Sequence, residues 1–489
     1  MNGTFSFKVN KVTAENKFSK YFWAIIGQFF KKIKKHIDCF FGQIVRNRVS
    51  RKGKIDPKKV FFQTFQGDYT CNPKYITEEM LKQGVDANIV WAGRKRSICT
   101  PGAFPYGVKT VDIYSYEMMQ EISTAKIIIT NSVEYHKRKL PIKKGQVVFQ
   151  TWHGSLGIKR FDKGHNNGKA WVKAAEYNGK VADYCISNST FENDVYRESF
   201  WDKSEILEYG HPRNDILVRP MDDALKARIK EIREGLEIPE GAKIVLYGPT
   251  FRDAHNFDCY NIKPDILFLA LKARFGGEWV LLTRYHPTVR KLGTRFGGGK
   301  NIINVSRYPD IQELMLIADI AITDYSSWIY DFMLTRKPGF IFATDIEKYD
   351  NERGFYFSLY STPFPVATSP GELALNVLDF DDKKYADDLE AFLVDKGCFE
   401  DGHAAERTVE KIKEILAQAE VEAQNDNGSV YQVNTDADEK NENECCDEMT
   451  DLEAEEAIEE ELRNRLGLYH LFDEDDEGSE EYNDVIDNA

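Results

Sequence analysis

Short apolar runs alternate with helical patterns along most of the chain from residue 60 onward. Runs of four or five residues, such as those at 127–130 and 243–247, have the length of buried β-strands. Between them, apolar residues recur at spacings of three and four, which is typical of helices with one buried face. Strands that alternate with helices predict parallel sheets covered by helices on both faces.

The alternation forms two series, separated by a charged helix at 222–235 and a turn at 238–241. The first series predicts strands at residues 60–64, 88–91, 127–130, 146–150, 182–186 and 206–209. The second series predicts strands at residues 243–247, 279–283, 302–304, 320–323 and 339–342. Further helices are predicted at residues 73–83, 190–200, 265–275, 311–317, 328–335, 382–396 and 404–419, with a loop at 363–372. The predicted fold class is therefore α/β, with two doubly wound Rossmann-like units facing a cleft, and with ligands at the carboxyl ends of the strands.

A different pattern precedes residue 60. Between residues 17 and 49, aromatic and aliphatic side chains recur at helical spacing, and lysines and arginines fill much of the remaining surface. Such a basic amphipathic helix is predicted to lie in the interface of an anionic membrane, and a helix docked on the protein's own core is the alternative. Nucleic-acid binding is disfavoured, because the aromatic residues share one helical face. The uncharged stretch at 21–30 is too short to span a bilayer.

Charge is distributed unevenly along the chain, whose net charge is −14. Residues 1–59 carry 15 Lys/Arg against 3 Asp/Glu, whereas residues 421–489 carry 25 Asp/Glu against 3 Lys/Arg. This acidic, low-complexity tail is predicted to be mostly disordered. We therefore divide the chain into a basic membrane-binding segment (1–59), two Rossmann-like domains (60–220 and 221–420) and an acidic tail (421–489).

The eight cysteines form no CxxC pair and have no histidine at ligand spacing, so no metal site is predicted. Scattered cysteines in a sequence without a recognisable secretory signal favour a reducing, cytoplasmic setting.

Two histidines directly follow predicted strands. His153 lies in a Thr-Trp-His-Gly-Ser sequence, where Gly154 allows close approach of a substrate and the imidazole can act as a general base near neutral pH. His286 precedes a proline, which restricts its backbone to an extended conformation. On opposite walls of the cleft, the two imidazoles can serve as base and as acid or electrophilic partner. A packed structural histidine is the alternative at each position.

Groups that can bind an anion follow other predicted strands. Arg252 offers a planar fork for a phosphate, although a surface turn with Asp253 is the alternative. Ser326 and Ser327 precede a predicted helix, where either hydroxyl can cap the helix and free N–H groups can bind a diphosphate. A plain N-cap is the alternative there. The polar residues that accompany these turns are Thr250, Arg284 and Asp324.

Taken in order, these segments resemble the CDP-glycerol glycerophosphotransferase family, the teichoic-acid primases and polymerases of bacterial envelopes. The matching motifs are Asn-Pro-Lys-Tyr-Ile at 72–76, Ile-Val-Trp-Ala at 89–92, Gln-Thr-Trp-His-Gly at 150–154, Gly-His-Pro-Arg-Asn-Asp at 210–215, Pro-Thr-Phe-Arg-Asp at 249–253, His-Pro at 286–287, Tyr-Pro-Asp-Ile at 308–311, the segment 318–327, Asp-Phe at 331–332 and Arg-Gly-Phe-Tyr at 353–356. Each motif alone is weak, but the ordered set over roughly residues 60–400 is specific.

The resemblance implies a GT-B-like fold, with an acceptor domain at 60–220 and a CDP-donor domain at 221–420. It implies transfer of a polyol phosphate, glycerol phosphate in the first instance, from CDP-glycerol or CDP-ribitol, with release of CMP and with no metal or cofactor. The implied acceptor is a hydroxyl of a lipid-linked polyol phosphate or glycan, and the implied location is peripheral, on the cytoplasmic face of the cell membrane.

The resemblance also implies roles for individual residues. His153 and His286 fall on the family's essential histidines. The implied contacts to the donor's CDP and phosphates are Ser326, Ser327, Asp324, Arg252, Arg284 and Thr250, and the supporting residues are Gly154, Arg213 and Asp253.

Two departures leave the polyol and the acceptor open. Ser155 follows the Trp-His-Gly motif where the family often has Thr-Pro, and Tyr285 precedes His-Pro where it often has Met. A GT-B glycosyltransferase or epimerase acting on a nucleotide sugar is one alternative, and it would not release CMP. A non-catalytic membrane scaffold is another, although a scaffold has no need of these histidines and serines. Single addition or polymerisation, the oligomeric state and the role of the acidic tail also stay open.

Overall fold

The computed structural model describes residues 47–49, 51–133, 142–155, 160, 169–250, 258–285, 299, 301–346 and 354–433. Nearly all of the predicted basic helix at 17–49, and the acidic tail beyond residue 433, lie outside the described residues. Within the described ranges, no helix is both long enough and apolar enough to cross a bilayer.

The first half of the described chain forms a parallel sheet of seven strands in the order β3-β2-β1-β4-β5-β6-β7. Its strands are β1 (Asp56–Gln63), β2 (Asn88–Gly93), β3 (Lys109–Asp112), β4 (Ala125–Thr130), β5 (Val147–Gln150), β6 (Tyr184–Ser187) and β7 (Glu205–Glu208). The second half of β1, from Val60 to Gln63, and all of β4 except Lys126 are buried, as expected for a sheet covered on both faces. The covering and connecting helices are α1 (Cys71–Lys82), α2 (Lys95–Ile98), α3 (Tyr116–Thr124), α4 (Lys169–Val181), α5 (Thr190–Glu198) and α6 (Asp215–Val218).

The second half forms a parallel sheet of six described strands in the order β10-β9-β8-β11-β12-β13. These strands are β8 (Lys243–Tyr247), β9 (Trp279–Thr283), β10 (Ile302–Asn304), β11 (Ile320–Thr323), β12 (Gly339–Phe342) and β13 (Val366–Ala367). The helices are α7 (Asp223–Gly235), α8 (Pro264–Phe275), α9 (Ile311–Ile317), α10 (Trp328–Phe332), α11 (Pro370–Leu378) and α12 (Asp382–Asp395). The predicted α/β fold with two doubly wound sheets is confirmed.

The last helix, α13 (Ala404–Val433), packs on the first sheet rather than on the second. Its Ile412 is fully buried in one core cluster with Phe62 of β1. The first turn is held by Asp215, whose two carboxylate oxygens accept hydrogen bonds from the main-chain N–H groups of Ala404 and Ala405 at 3.0 and 2.8 Å. The chain therefore crosses back to the first half before it ends, and the helix runs into the segment predicted to be disordered.

Buried ion pairs connect the two halves. Lys74 in α1 places its Nζ 2.6 Å from Asp310 Oδ2 and 3.0 Å from Glu313 Oε1. Arg213, which is 1% exposed, donates through Nε to Asp331 Oδ2 at 3.0 Å. Charges buried at this depth are tolerated only with partners, so these contacts fix which surfaces of the halves meet.

Some short or polar helices and strands of the structure were not predicted from the sequence. The predicted loop at 363–372 is wrong, because it contains β13 and the first turn of α11. Pro370 occupies the first turn of that helix, where its missing N–H costs nothing, and the Ser369 hydroxyl caps the helix by accepting from Glu372 N–H. The edge strand β3 has a half-exposed, mixed sequence, so it carries no apolar run to detect.

Candidate active site

The carboxyl ends of neighbouring strands β1, β4 and β5 bring three loops together around His153. The imidazole Nδ1 lies 2.6 Å from the main-chain oxygen of Asn131, which follows β4. A carbonyl oxygen only accepts, so Nδ1 carries the hydrogen and Nε2 keeps its lone pair. Nε2 has no hydrogen-bond partner among the described residues, and it is therefore the nitrogen that can accept a proton.

The electrostatic surroundings keep the His153 imidazole neutral. Burial lowers the pKa of His153 from 6.5 to about 4, and the positive charge of Arg213 lowers it further, while the hydrogen bond to Asn131 acts in the opposite direction. A neutral imidazole with a free Nε2 is the form that a general base requires at neutral pH.

Two aromatic rings enclose the same imidazole. The ring of Phe65 is stacked on it, with a centroid distance of 5.5 Å and an interplanar angle of 17°, and Trp152 lies 4.5 Å away at 35°. Trp152 has a φ of +49°, a left-handed conformation that is strained for a bulky residue. The strained turn is held in place because Trp152 N–H donates to Gln150 Oε1 at 2.9 Å and Asn72 Nδ2 donates to the carbonyl of Trp152 at 3.2 Å.

The Ser326–Ser327 turn meets the His153 turn across the gap between the halves. A β-carbon built on Gly154 would lie 3.7 Å from Ser327 Oγ. Residues that the sequence places in different halves are therefore neighbours in space, as the cleft prediction requires.

The predicted helix cap at this turn is wrong in detail. Ser327 is the residue before α10, but its side chain accepts no capping hydrogen bond, and its backbone is already helical. The helix has only five residues before a 3₁₀ turn at Met333–Thr335, so its dipole contributes little. Neither serine hydroxyl has a hydrogen bond within the described part of the chain. Both are partly exposed, so both are available to a ligand.

Asp324 and Thr250 form a contact between two loops of the second half. The buried carboxylate of Asp324 accepts hydrogen bonds from Thr250 N–H at 2.8 and 3.0 Å and from Tyr325 N–H. A carboxylate beside a diphosphate would repel it, whereas one that binds two main-chain N–H groups shapes the loops. A direct contact between Asp324 and the donor stays a prediction.

Arg284 and Arg213 lie in different surroundings. Arg284 is partly buried and donates through Nη1 to the carbonyls of Tyr308 and Val305, and burial lowers the pKa of its guanidinium. Its Nε and Nη2 have no hydrogen-bond partner among the described residues, so they remain available for an anion. The Arg213 guanidinium is instead occupied by Asp331, which raises its pKa against the opposing effect of burial.

Three predicted site residues, His286, Arg252 and Asp253, lie outside the described residues. The roles of His286 as the second histidine of the site and of Arg252 as a phosphate-binding group therefore stay predictions. The described residues also include no cluster of three or more side chains suited to a metal ion.

Several residues around the site were not predicted. Asn131 and Phe65 contact His153 through a main-chain oxygen and a ring face, and neither contact leaves a pattern in the sequence. Asn72 donates to the carbonyl of Thr151 at 2.7 Å and accepts from Arg213 N–H at 3.1 Å, joining two turns of the first half. The Asn-Pro-Lys-Tyr-Ile motif that contains Asn72 was noted, but without a role for this residue.

The architecture and the site define a class of protein. Two doubly wound parallel sheets whose strand ends face a shared gap form a GT-B-like fold, and the turn that carries a neutral histidine lies close to the Ser327 hydroxyl across that gap. A model of the CDP-Glycerol:Poly(glycerophosphate) glycerophosphotransferase family matches residues 45–414. The chain belongs to this family, as its motifs predict.

Relatives of known name agree with this assignment. The chain is 32% identical to the teichoic acid poly(glycerol phosphate) polymerase of Staphylococcus epidermidis, over 73% of this chain and 51% of that protein. It is 28% identical to the teichoic acid glycerol-phosphate transferase of Staphylococcus aureus, over 72% of this chain and 92% of that protein. The chain spans about half the length of the first curated relatives that it matches.

A solved structure of the wall teichoic acid polymerase TagF shares the fold. It is 30% identical, gives a TM-score of 0.67, and the match covers 80% of this chain and 98% of that one. Other solved forms of TagF are histidine variants, one of which was soaked with CDPG.

Proposed function

We propose that this chain transfers glycerol phosphate from CDP-glycerol to a hydroxyl of a membrane-associated acceptor in teichoic-acid-like or capsular polymer synthesis, and that it releases CMP. The observation that carries the proposal is the meeting of the His153–Gly154 turn with Ser327 across the gap. Family membership supplies the donor class, and the first relatives described above favour glycerol over ribitol.

The reaction needs one general base and several groups that donate hydrogen bonds to the diphosphate. The acceptor oxygen attacks the phosphorus that bears the polyol, the bond from that phosphorus to the bridging oxygen breaks, and CMP leaves with that oxygen. His153 Nε2 takes the proton of the attacking hydroxyl. The hydroxyls of Ser326 and Ser327 and the free nitrogens of Arg284 hold the diphosphate, since phosphoryl transfer depends mainly on positioning and charge stabilisation. We assign His286 to protonate or stabilise the leaving phosphate.

Attachment to a membrane is a second part of the proposal. The segment at 17–49 combines an aromatic and aliphatic face with lysines, and each lysine near an anionic surface contributes about 1 kcal/mol. We propose that it holds the chain peripherally on the cytoplasmic face, where the lipid-linked acceptor is anchored. Deletion of residues 1–50 should move the protein from the membrane pellet to the supernatant. Continued sedimentation of the deletion variant with membranes in high salt would require another anchor.

The activity is tested by following nucleotide release from purified full-length protein. The protein is incubated with membranes that contain acceptor and with CDP-glycerol, CDP-ribitol or nucleotide sugars in parallel. The proposal expects CMP from CDP-glycerol, at a rate at least tenfold above that from CDP-ribitol. Faster CMP release from CDP-ribitol would reassign the polyol. Release of a nucleoside diphosphate from a nucleotide sugar, or no release from any donor, would reject the proposed reaction.

A further inference from the structure

Asn131 occupies the middle of the three loops that surround the imidazole. Sheet order places β4 between β1 and β5, so the residue that follows β4 lies between the loops that follow the other two. Its main-chain oxygen accepts from His153 Nδ1 at 2.6 Å, and its side-chain Oδ1 accepts from Phe65 N–H at 2.7 Å. One residue therefore contacts both the imidazole and the residue whose ring is stacked on it.

The Asn131 side chain is buried and has little freedom to move. It is 1% exposed and lies close to the Cys71 thiol at the start of α1, whose pKa is raised by burial and lowered to a smaller extent by Asn131. A buried amide oxygen needs a hydrogen-bond partner, and here the partner is Phe65 N–H, in the loop between β1 and α1. Asn131 directly follows β4, so its side chain holds Phe65 in a fixed position relative to the end of that strand.

Two independent restraints act on the imidazole as a result. The hydrogen bond to the Asn131 carbonyl selects the tautomer with hydrogen on Nδ1 and sets the direction of the ring. The Phe65 ring, at 5.5 Å and 17°, fixes the plane of the imidazole and limits access of water to one of its faces. A loosened ring would rotate out of line with the reacting hydroxyl.

We propose that Asn131 and Phe65 are positioning residues for His153, which hold its imidazole in the Nδ1–H tautomer and in one orientation so that Nε2 accepts the acceptor's proton. The inference rests on the proposed function for its catalytic consequence, but the tautomer and the orientation belong to the protein alone. Neither residue touches the reacting atoms in this arrangement.

Two substitutions test the restraint by Phe65, one from each side of its contact with Asn131. Asn131→Ala removes the side-chain acceptor of Phe65 N–H and leaves the main-chain carbonyl in place. Phe65→Leu removes the stacked ring and leaves the main-chain hydrogen bond to Asn131. Phe65→Tyr keeps a flat ring and serves as the conservative rescue. Matched controls are Asn88→Ala, at the opposite end of the same sheet, and Phe104→Leu, a partly buried ring packed on Tyr69 and Trp91.

The decisive readout is the nitrogen NMR spectrum of the full chain with histidine labelled by ¹⁵N, recorded against pH. The His153 signals are assigned by their loss in His153→Gln. In the parent protein, we expect one tautomer and protonation only near pH 4. In Asn131→Ala and Phe65→Leu, we expect a titration midpoint raised toward 6.5, because water reaches the ring. We also expect a tautomer mixture, because an imidazole that is no longer held in its plane rotates away from the Asn131 carbonyl. Phe65→Tyr and both controls should match the parent.

Steady-state kinetics give the second readout. Both positioning variants should lose about 10- to 100-fold in kcat while the donor KM changes less than threefold, since misplaced reacting groups slow the chemical step more than they weaken binding. If Asn131→Ala does not fold, Phe65→Leu alone decides.

The results of these experiments distinguish a failure of this inference from a failure of the proposed function. An unchanged tautomer and titration in a folded Phe65→Leu protein would overturn the inference, even if CMP release is robust. A shifted tautomer in the variants of a chain that releases no CMP would support the positioning contacts and reject the proposed reaction.

Discussion

Gly154 and Ser327 face each other across the gap between the two halves, with 3.7 Å between Ser327 Oγ and the point where a β-carbon on Gly154 would lie. The same β-carbon would lie 3.3 Å from Trp152 Nε1, which is a tight contact. The glycine therefore keeps space open between the imidazole turn and the Ser327 hydroxyl, where the proposed function places the donor diphosphate.

The first prediction follows from that space. Gly154→Ala should raise the donor KM by about tenfold, because the methyl group narrows the gap and restricts the approach of a phosphate. Gly235→Ala is the control, since a β-carbon there meets open space. Equilibrium binding of CDP-glycerol measured by calorimetry checks the effect, and equal donor affinities in the two variants would show that the gap is not the donor's entrance.

Removal of the proposed base should lower the turnover rate and leave binding of the donor unchanged. His153→Ala is expected to lower CMP release by about 10²- to 10⁴-fold, while the donor still binds. His403→Ala provides a matched control, because the His403 imidazole is exposed and its hydrogen bond is with Glu406, away from the gap. Unchanged turnover in His153→Ala would remove this residue from the mechanism.

The pH dependence follows from the neutral imidazole. Burial lowers the pKa of His153 to about 4, so the base stays unprotonated as pH falls below the ordinary value of 6.5. The kcat/KM of the parent protein should therefore decline only as pH drops through about 4, and this acid limb should be absent from the residual rate of His153→Ala. An acid limb at pH 6 to 7 that belongs to His153 would contradict the buried environment.

The two serine hydroxyls should contribute to donor affinity. Hydrogen bonds to a charged group are worth about 1.5–3 kcal/mol, so Ser326→Ala and Ser327→Ala should each weaken CDP-glycerol binding by roughly 10- to 100-fold. The matched control is Ser361→Ala, whose hydroxyl donates within its own 3₁₀ turn. Donor titration would decide, and parent-like affinity in both site variants would place the diphosphate elsewhere.

The contact between the halves depends on a buried lysine. Lys74→Met leaves the carboxylates of Asp310 and Glu313 without that cation, and breaking a buried pair costs about 3–5 kcal/mol. The exposed pair of Lys226 and Asp223 gives the comparison, since Lys226→Met should cost at most about 1 kcal/mol. Shifts of the denaturation midpoints test this contrast, and similar midpoints for both variants would contradict it.

Much of the fold was predictable because buried parallel strands are nearly continuous apolar runs. Strands β8, β9 and β11 begin and end where the sequence pattern predicts. The missed helix α11 did carry a signal, the Ser369 cap with Glu372 three residues later, but Pro370 favoured a loop. Local chemistry of this kind is ambiguous until packing selects one conformation.

The sequence predicts which residues of the site follow strands. It does not predict the individual contacts that these residues make. The sequence places His153 and Ser327 after strands, and sheet topology then brings their turns together. The tautomer of His153 depends on a main-chain oxygen of Asn131, and main-chain atoms are the same for every residue type. Asp331 illustrates the same limit, because only the assembled halves show that it binds Arg213.

The central claim is that the donor diphosphate lies between the His153 turn and the Ser326–Ser327 turn. A crystal structure of the full chain as His153→Ala, soaked with CDP-glycerol, tests it most directly, because the variant should bind the donor without consuming it. We predict phosphate oxygens within hydrogen-bond distance of both serine hydroxyls, with the polyol-bearing phosphorus facing the space left by the imidazole. A diphosphate bound away from Ser327, or one with its polyol phosphorus on the far side from residue 153, would contradict the account.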